Sequence, residues 1–159
     1  MRPSQSYLEF TIEEQCYALP LTAVKKVIRA VELTCLPDSP PILKGLLNMR
    51  GEIIPVLNIR SRFGLPERDI LFEDRIIICK TAERVIAFVV DLVSGVVEVA
   101  PEKFDAAKGI LPEMESYIGG VAKIDKETVL LYDLDKLFSA GVPGAGGDTV
   151  QREVAFWRC

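Results

Sequence analysis

The chain contains 159 residues, 49% of them hydrophobic and 26% charged, with a net charge of −4 and an isoelectric point near 5.0. This length and composition are typical of one soluble globular domain, and the acidic balance argues against the basic surface on which nucleic-acid affinity depends. No apolar run approaches the roughly 18 residues of a membrane span, so we expect a cytoplasmic protein with no nucleic-acid partner and no direct membrane insertion.

Short apolar runs rich in β-branched residues recur between Gly, Pro and charged breaks, which predicts strand after strand. Residues 7–12 and 16–21 predict a first hairpin. Residues 23–33 carry valine and isoleucine at helical spacing but have high strand propensity, and they predict a short turn that leads into a strand.

The middle of the chain predicts a second hairpin. Residues 42–49 and 52–59 read as strands on either side of Arg50-Gly51, where Gly can take positive φ without penalty. Pro55 lies inside the second of these strands. We therefore expect this strand to lie at a sheet edge, or its proline to face away from the hydrogen-bonded ladder.

The remainder of the chain continues the same pattern. Residues 75–80, 85–93 and 95–99 predict three more strands, and residues 101–111 predict one or two helical turns. The tail, residues 139–159, begins with a Gly/Ala-rich stretch and is expected to be flexible.

The chain also matches itself. Residues 45–63 align with residues 120–138 at an offset of 75, with Gly, Glu and Phe identical at three positions. Residues 17–28 align with residues 86–97 at an offset of 69. Chance periodicity of strands is the alternative explanation, but a true repeat predicts one domain, residues 7–138, built from two similar β lobes. We place these lobes at about 7–66 and 75–138.

The chain lacks the residues that most enzymes use. Histidine is absent, which removes the commonest general base and the commonest metal ligand. There is no phosphate-binding loop, no GxGxxG and no nucleophile elbow. We therefore predict a protein that is not an enzyme, takes no cofactor or metal, and works by binding other molecules.

The four cysteines are far apart in the sequence and form no CxxC pair. This spacing predicts neither a disulfide framework nor a zinc site. We interpret Cys16, Cys35 and Cys79 as small apolar fillers and Cys159 as an exposed thiol.

Four segments in order carry a family resemblance: YALPLTAVKKVI, KGLLNMRGEIIPVLNIRSRFGL, VIAFVVDLVSGVVEV and GGVAKIDKETVLLYDLDKLF. Together they resemble the CheW-like family of chemotaxis coupling proteins, which includes the regulatory domain of the CheA kinase. The resemblance implies an all-β fold of two SH3-like five-stranded barrels. It also implies a non-catalytic adaptor that holds a CheA-type histidine kinase against the cytoplasmic tip of methyl-accepting chemoreceptors, and so is recruited to membrane receptor arrays.

The same resemblance implies a partner-facing region around the Arg50-Gly51 turn and the strand that begins near Val24. The candidate partner-binding residues are Val24, Lys26, Val27, Gly45, Asn48, Arg50 and Gly51. Other interpretations stay open: Arg50 could only tie its own turn to a carbonyl or to Glu52, the two valines could be core residues, and both glycines could be backbone devices.

Two positions depart from the family pattern. Lys26 places a positive charge where the family often has an acid, and Asn58 stands where an Asp is common, which removes a possible partner for Arg60. A reversed charge at an interface changes which partner is accepted. The competing hypotheses are therefore a divergent CheW-like module in another signalling pathway, a detached regulatory domain of a kinase, and a β-barrel that binds an unrelated peptide or ligand.

Overall fold

The computed structural model describes residues 5–100, 104–106, 118–124 and 127–132, and its regular structure there is almost entirely β. The strands are β1 Gln5–Ile12, β2 Gln15–Pro20, β3 Val24–Arg29, β4 Leu43–Met49, β5 Glu52–Leu57, β6 Arg75–Lys80, β7 Val85–Val90, β8 Leu92–Val99, β9 Phe104–Ala106, β10 Ile118–Ile124 and β11 Glu127–Tyr132. A 3₁₀ helix, Leu21–Ala23, precedes β3, and a short α-helix, α1 Ile59–Phe63, follows β5.

The strands form two sheets with the same internal order. One sheet runs β3-β6-β7-β5-β4, and the other runs β8-β1-β2-β11-β10, with β9 added beyond β10. Each sheet contains one parallel pair, β5 with β7 and β2 with β11, and its other pairs are antiparallel. The predicted all-β architecture of two similar lobes is confirmed.

The repeat in the sequence corresponds to equivalent strands. The strands β4 and β10 begin at residues 43 and 118, and β5 and β11 begin at residues 52 and 127, which is the aligned offset of 75 in both cases. Each pair forms a hairpin in its own sheet. The similarity between the two segments therefore reflects the same place in two copies of one sheet.

The two lobes do not follow the limits placed at about 7–66 and 75–138. The N-terminal hairpin β1–β2 joins the sheet of β8 to β11, and the hairpin β6–β7 joins the sheet of β3 to β5. The five-stranded sheet is thus one continuous stretch, residues 24–90, while the other sheet takes strands from both sides of it. Aligning the sequence with itself identifies equivalent segments. It does not show which of the two sheets each hairpin joins. The predicted tail, residues 139–159, lies outside the described residues.

The two sheets share one apolar cluster, and each sheet also has a smaller cluster of its own. Phe10 of β1 lies with its ring centroid 5.7 Å from that of Tyr17 and 5.6 Å from that of Phe88, so aromatic rings of both sheets are in contact. Tyr17 also stacks at 4.7 Å on Phe63 of α1. Leu57 and Ile77 belong to the same buried cluster. Since side chains from both sheets fill this cluster, each lobe completes the core of the other.

Most predicted elements before residue 100 are confirmed, including both hairpins and the short turn before β3. Helix α1 was not predicted, although Asn58 caps its start and Gly64, at φ +73°, ends it. The helical turns predicted for 101–111 are wrong for Phe104–Ala106, which form a strand. These three residues pair with β10, and such pairing between strands outweighs a local propensity.

Pro55 lies in a strand that is not at the sheet edge. The strand β5 has β4 along one side, and on its other side β7 pairs only with Val56 and Leu57. Pro55 therefore lies beside one partner strand where its missing N–H is tolerated. On the outer side of β4, Thr34 forms a bridge with Leu46, so the connecting segment covers this edge.

Cys79 is fully buried, as expected for an apolar filler, and Cys16 is a half-buried thiol. Cys35 is disulfide-bonded, so its interpretation as a filler is wrong. Of the helices that the structure describes, none has the length and apolar character to cross a membrane.

Candidate functional site

The turn between β4 and β5 has a built-in geometry. Arg50 and Gly51 both have positive φ, +53° and +85°, which is the conformation that two-residue hairpin turns require. The Oδ1 atom of Asn48 accepts a hydrogen bond of 3.1 Å from the backbone N–H of Gly51. The side chain of Asn48 therefore stabilises a turn in which Arg50 occupies a conformation that is unfavourable for a residue with a Cβ atom.

Arg50 is exposed at the tip of this hairpin. Among the described residues, its guanidinium makes no hydrogen bond and no ion pair, so the alternative that it ties the turn to Glu52 is not observed. Ile53 next to the turn is also exposed. The hairpin tip therefore presents a cation beside an apolar side chain, with both available to a partner.

Of the candidate partner-binding residues on strand β3, two contact the core and one lies at the surface. Val24 and Val27 are half-buried and pack against the shared core, which agrees with the interpretation of them as core residues. Lys26 is exposed, and the pairing of β3 with β6 shifts register between Val24 and Lys26. Since β3 is an edge strand of its sheet, Lys26 lies on an accessible border.

The seven predicted residues do not form one continuous cluster. The strands β3 and β4 lie at opposite ends of the strand order in the five-stranded sheet. Gly45 is buried, and a Cβ atom there would lie 2.9 Å from Cβ of Leu33, so Gly45 allows close packing. The accessible members are Lys26 at one edge and Asn48, Arg50 and Gly51 at the other.

A partly buried charge network, which the sequence did not predict, joins the two lobes. Arg60 of α1 is only 8% exposed. Its guanidinium donates to a carboxylate oxygen of Glu13, to Oδ1 of Asp91 at 2.7 Å and to the carbonyl of Pro66 at 3.0 Å. Glu13 lies in the β1–β2 turn, whereas Arg60 follows β5 of the other sheet. These bonds therefore hold one lobe against the other.

Arg68 extends the same network. Its two terminal nitrogens donate to the two carboxylate oxygens of Asp74, both at 2.9 Å, and one of them also donates to Asp91 at 2.8 Å. The hydrogen bonds with Asp74, and the nearby negative charges, raise the pKa of Arg68 although burial opposes this. Asp74 is 2% exposed and also accepts from the backbone N–H of Leu71 at 2.7 Å. This pairing offsets the cost of burying its charge.

One expectation from the sequence, that Arg60 lacks a carboxylate partner, bears on this network. Asp91 also accepts a hydrogen bond of 2.9 Å from the backbone N–H of Glu13. Asn58 accepts from the N–H of Ser61 at 3.2 Å and donates to Glu67 at 2.8 Å. Arg60 thus has carboxylate partners that are far from it in sequence, and Asn58 serves as a helix cap. The sequence offered one signal for this network: Asp91 is a charged residue that directly follows the long apolar strand β7.

The titratable groups near the core favour their neutral forms. Burial raises the pKa of the Tyr17 phenol, and the negative charge of Glu13 adds to this effect. Burial alone raises the pKa of Tyr7 and of the Cys79 thiol. These shifts come mainly from burial. No group of three or more potential metal ligands occurs in the part of the chain that the structure describes.

Comparison with known proteins gives a consistent result. Residues 6–142 match the family model described as the CheW-like domain. The chain is 27% identical to the "Probable chemotaxis protein CheW" of Rhizobium etli over 133 residues, which is 83% of this chain and 86% of the relative. It is 28% identical to the "Chemotaxis protein CheW" of Thermotoga maritima over 130 residues, 82% and 85% of the two chains.

A solved structure is similar as well. It is the crystal structure of the scaffolding protein TtCheW from Thermoanaerobacter tengcongensis, with a TM-score of 0.78 and 27% sequence identity. The match covers 88% of this chain and 95% of that chain. The likeness therefore extends over nearly the whole fold and not over one lobe alone.

Proposed function

Because the chain belongs to the CheW-like family, we propose that it couples a CheA-type histidine kinase to the cytoplasmic tip of methyl-accepting chemoreceptors. The family match over residues 6–142 is the observation that carries this proposal. Members of this family are non-catalytic scaffolding adaptors in chemotaxis, and this chain is one of them. Its function is to bind and not to convert a substrate.

The arrangement of the two sheets supports a protein with two partners. The five-stranded sheet has β3 at one edge, and the second sheet has β8 at one edge, whereas the edge of β4 is covered at Leu46 by the bridge with Thr34. On β8, Leu92 and Val96 are exposed large apolar side chains. Exposed strand edges and apolar side chains of this kind are what strand addition and apolar docking use. Separate edges allow the kinase and the receptor to bind at the same time.

We assign Arg50 as the main anchor of the hairpin side. Its guanidinium is exposed and lacks a partner among the described residues, while the turn that carries it is held by Asn48. The fixed turn limits the loss of backbone entropy on binding, and the guanidinium offers five donors to a partner. Asn48 and Gly51 then act by holding the turn, and Lys26 contributes charge at the opposite edge.

The proposed location is the cytoplasm, with recruitment to receptor arrays at the membrane. Receptor tips are the part of a chemoreceptor that a protein in this compartment can reach. The alternative of a divergent pathway depends on Lys26, whose exposed positive charge lies on the β3 edge. A partner with an acidic surface at that point would fit it.

The experiment is a capture assay with the Arg50→Ala variant. We expect this variant to retain less of the kinase regulatory domain or of a receptor hairpin than the original chain, because interface arginines often cost more than about 1 kcal/mol when truncated. Its thermal melting should be nearly unchanged, since Arg50 is exposed and unpaired among the described residues.

Arg84→Ala is the matched control, because Arg84 is also an exposed arginine in a hairpin turn, between β6 and β7. It should bind both partners normally. Capture by Arg50→Ala at the level of this control would contradict the assignment of Arg50.

A further inference from the structure

The neighbouring strands β3 and β6 concentrate positive charge in an acidic protein. Together they carry five cationic residues and no acid, although the net charge of the chain is −4. Three of these cations lie on β3 and are exposed: Lys25, Lys26 and Arg29. Within the described ranges, none of the three forms an ion pair. An edge strand with three uncompensated cations in six residues attracts an anionic partner.

Two of the cations lie directly opposite each other. In the antiparallel pairing of β3 with β6, Arg29 is the partner of Arg75, so both side chains point to the same face of the sheet. Like charges at opposite positions destabilise a strand pair. Arg75 donates from Nη1 to the carbonyl oxygens of Glu73 at 2.7 Å and of Asp74 at 3.1 Å, and not to a carboxylate. A carboxylate supplied by another molecule would relieve the repulsion between the two guanidinium groups.

The nearby acids do not compensate these arginines. Asp74 is buried, and both of its carboxylate oxygens accept hydrogen bonds from Arg68. Glu32 and Glu73 are exposed in the adjoining segments, but neither forms an ion pair in the part of the chain that the structure describes. The basic charge of β3 and β6 is therefore available to a partner.

The strand β3 also has a free backbone edge. It pairs with β6 along one side, and no strand or bridge of the described chain pairs with its other side. Extended segments of other proteins add to such an edge as a further strand. Lysine on an edge strand discourages unselective pairing, and the cations of β3 repel a basic segment or a second copy of β3. An acidic segment is thus the strand that this edge favours.

We propose that β3 receives an extended acidic segment of a partner protein as an added strand. Carboxylates of that segment pair with Lys26 and with the two arginines Arg29 and Arg75, which lie about 10 Å further along the strand at ~3.3 Å per residue. The proposal rests on the function proposed above, because β3 belongs to the candidate partner-binding region. It adds the charge and the extended conformation of the segment that this region accepts.

The charge preference is tested by fluorescence anisotropy on the full chain. The probe is a labelled synthetic peptide of threonine and valine with two glutamates three residues apart, and the controls carry glutamine or lysine in place of both glutamates. We expect the glutamate peptide to bind about tenfold more tightly than the glutamine peptide, because the latter lacks both ion pairs. Its affinity should fall as NaCl is added. Equal affinities for the three peptides would overturn the proposal.

The location is tested with two variants that change the net charge equally. Lys26→Glu should weaken binding of the glutamate peptide by about tenfold, because it replaces an attractive pair with a repulsive one. Arg84→Glu alters an exposed arginine in the turn after β6 and should bind the peptide as the original chain does. Equal losses in the two variants would show that net charge, and not the β3 edge, attracts the peptide.

Strand addition is tested by hydrogen exchange of the backbone amides. With the glutamate peptide bound, amides of β3 should exchange more slowly, while those of β8, the edge strand of the other sheet, should not change. Protection of β8 alone, or binding to phosphatidylglycerol vesicles and not to the peptide, would contradict the proposal. These measurements use neither kinase nor receptor, so their failure is distinct from failure of the capture assay that tests the coupling function.

Discussion

At the scale of single residues, Arg60 carries more structural consequence than any of the residues predicted as partner-binding. It is nearly buried, and its bonds to Glu13 and Asp91 connect segments 47 and 31 residues away in the chain. Removing a buried member of an ion network leaves its partner charges without compensation, which costs more than the intact network contributes. The stability of the lobe junction should therefore depend strongly on this side chain.

We predict that Arg60→Ala lowers the free energy of unfolding by about 3 kcal/mol. Asp91 keeps a bond to Arg68 and Glu13 is partly exposed, which limits the loss. Urea denaturation monitored by circular dichroism measures it. The exposed Arg84→Ala variant should change the value by less than about 0.5 kcal/mol, and equal effects of the two variants would show that the network has no stabilising role.

Ionisation of Tyr17 should lower the stability of the folded protein at alkaline pH. Its phenol has a raised pKa in the folded protein, so the unfolded state ionises first, near the ordinary value of 10.0. The contribution of the neutral Tyr17 phenol to the free energy of unfolding is therefore complete below pH 10. It is lost as the pH rises through the pKa of Tyr17 in the folded protein. We predict that stability falls less steeply above pH 10 in Tyr17→Phe, which keeps the ring stacking on Phe10 and Phe63. Denaturant midpoints at a series of pH values measure this slope, and identical slopes in the two proteins would contradict the assignment.

At the scale of elements, the two glycines of the β4–β5 hairpin act for different reasons. A Cβ atom at Gly45 would lie 2.9 Å from Cβ of Leu33 and 3.1 Å from the carbonyl of Thr34, so the covering segment would have to move. At Gly51 there is open space, but φ is +85°. One glycine permits close packing, and the other permits a backbone conformation.

We predict that Gly45→Ala lowers the free energy of unfolding by about 2 kcal/mol through overpacking, and that Gly51→Ala lowers it by about 1 kcal/mol through strain. Thermal or urea unfolding of both variants shows which of them loses more unfolding free energy. A larger loss for Gly51→Ala would mean that the segment over β4 yields easily.

The elements that the sequence predicted correctly are those with local signals. The Arg50-Gly51 turn and the first hairpin follow from turn residues between alternating apolar runs, and both are present. Helix α1 had local signals too, an Asn at its start and a Gly at its end, but its five residues are too few for periodicity to show. The strand Phe104–Ala106 had no such signal, because it is stabilised by pairing with β10.

At the scale of the whole molecule, the repeat predicted two lobes but not how the chain divides between them. The N-terminal hairpin β1–β2 pairs with β8 and β11. The six-stranded sheet therefore contains both the first and the last strand of the described chain. Pairing of this kind depends on contacts between residues far apart in sequence, which self-alignment does not contain. The same holds for the candidate site, where the structure separates Lys26 from Arg50 and assigns Gly45 to packing.

The central claim concerns the molecule as a connector between two proteins. The measurement that tests it most directly is co-sedimentation of a CheA regulatory domain with immobilised chemoreceptor hairpins, with and without this chain. We predict that the kinase domain is retained when the original chain or Arg84→Ala is present, and that retention falls with Arg50→Ala. Retention of the kinase domain at the same level when this chain is left out, or none when it is added, would contradict the account.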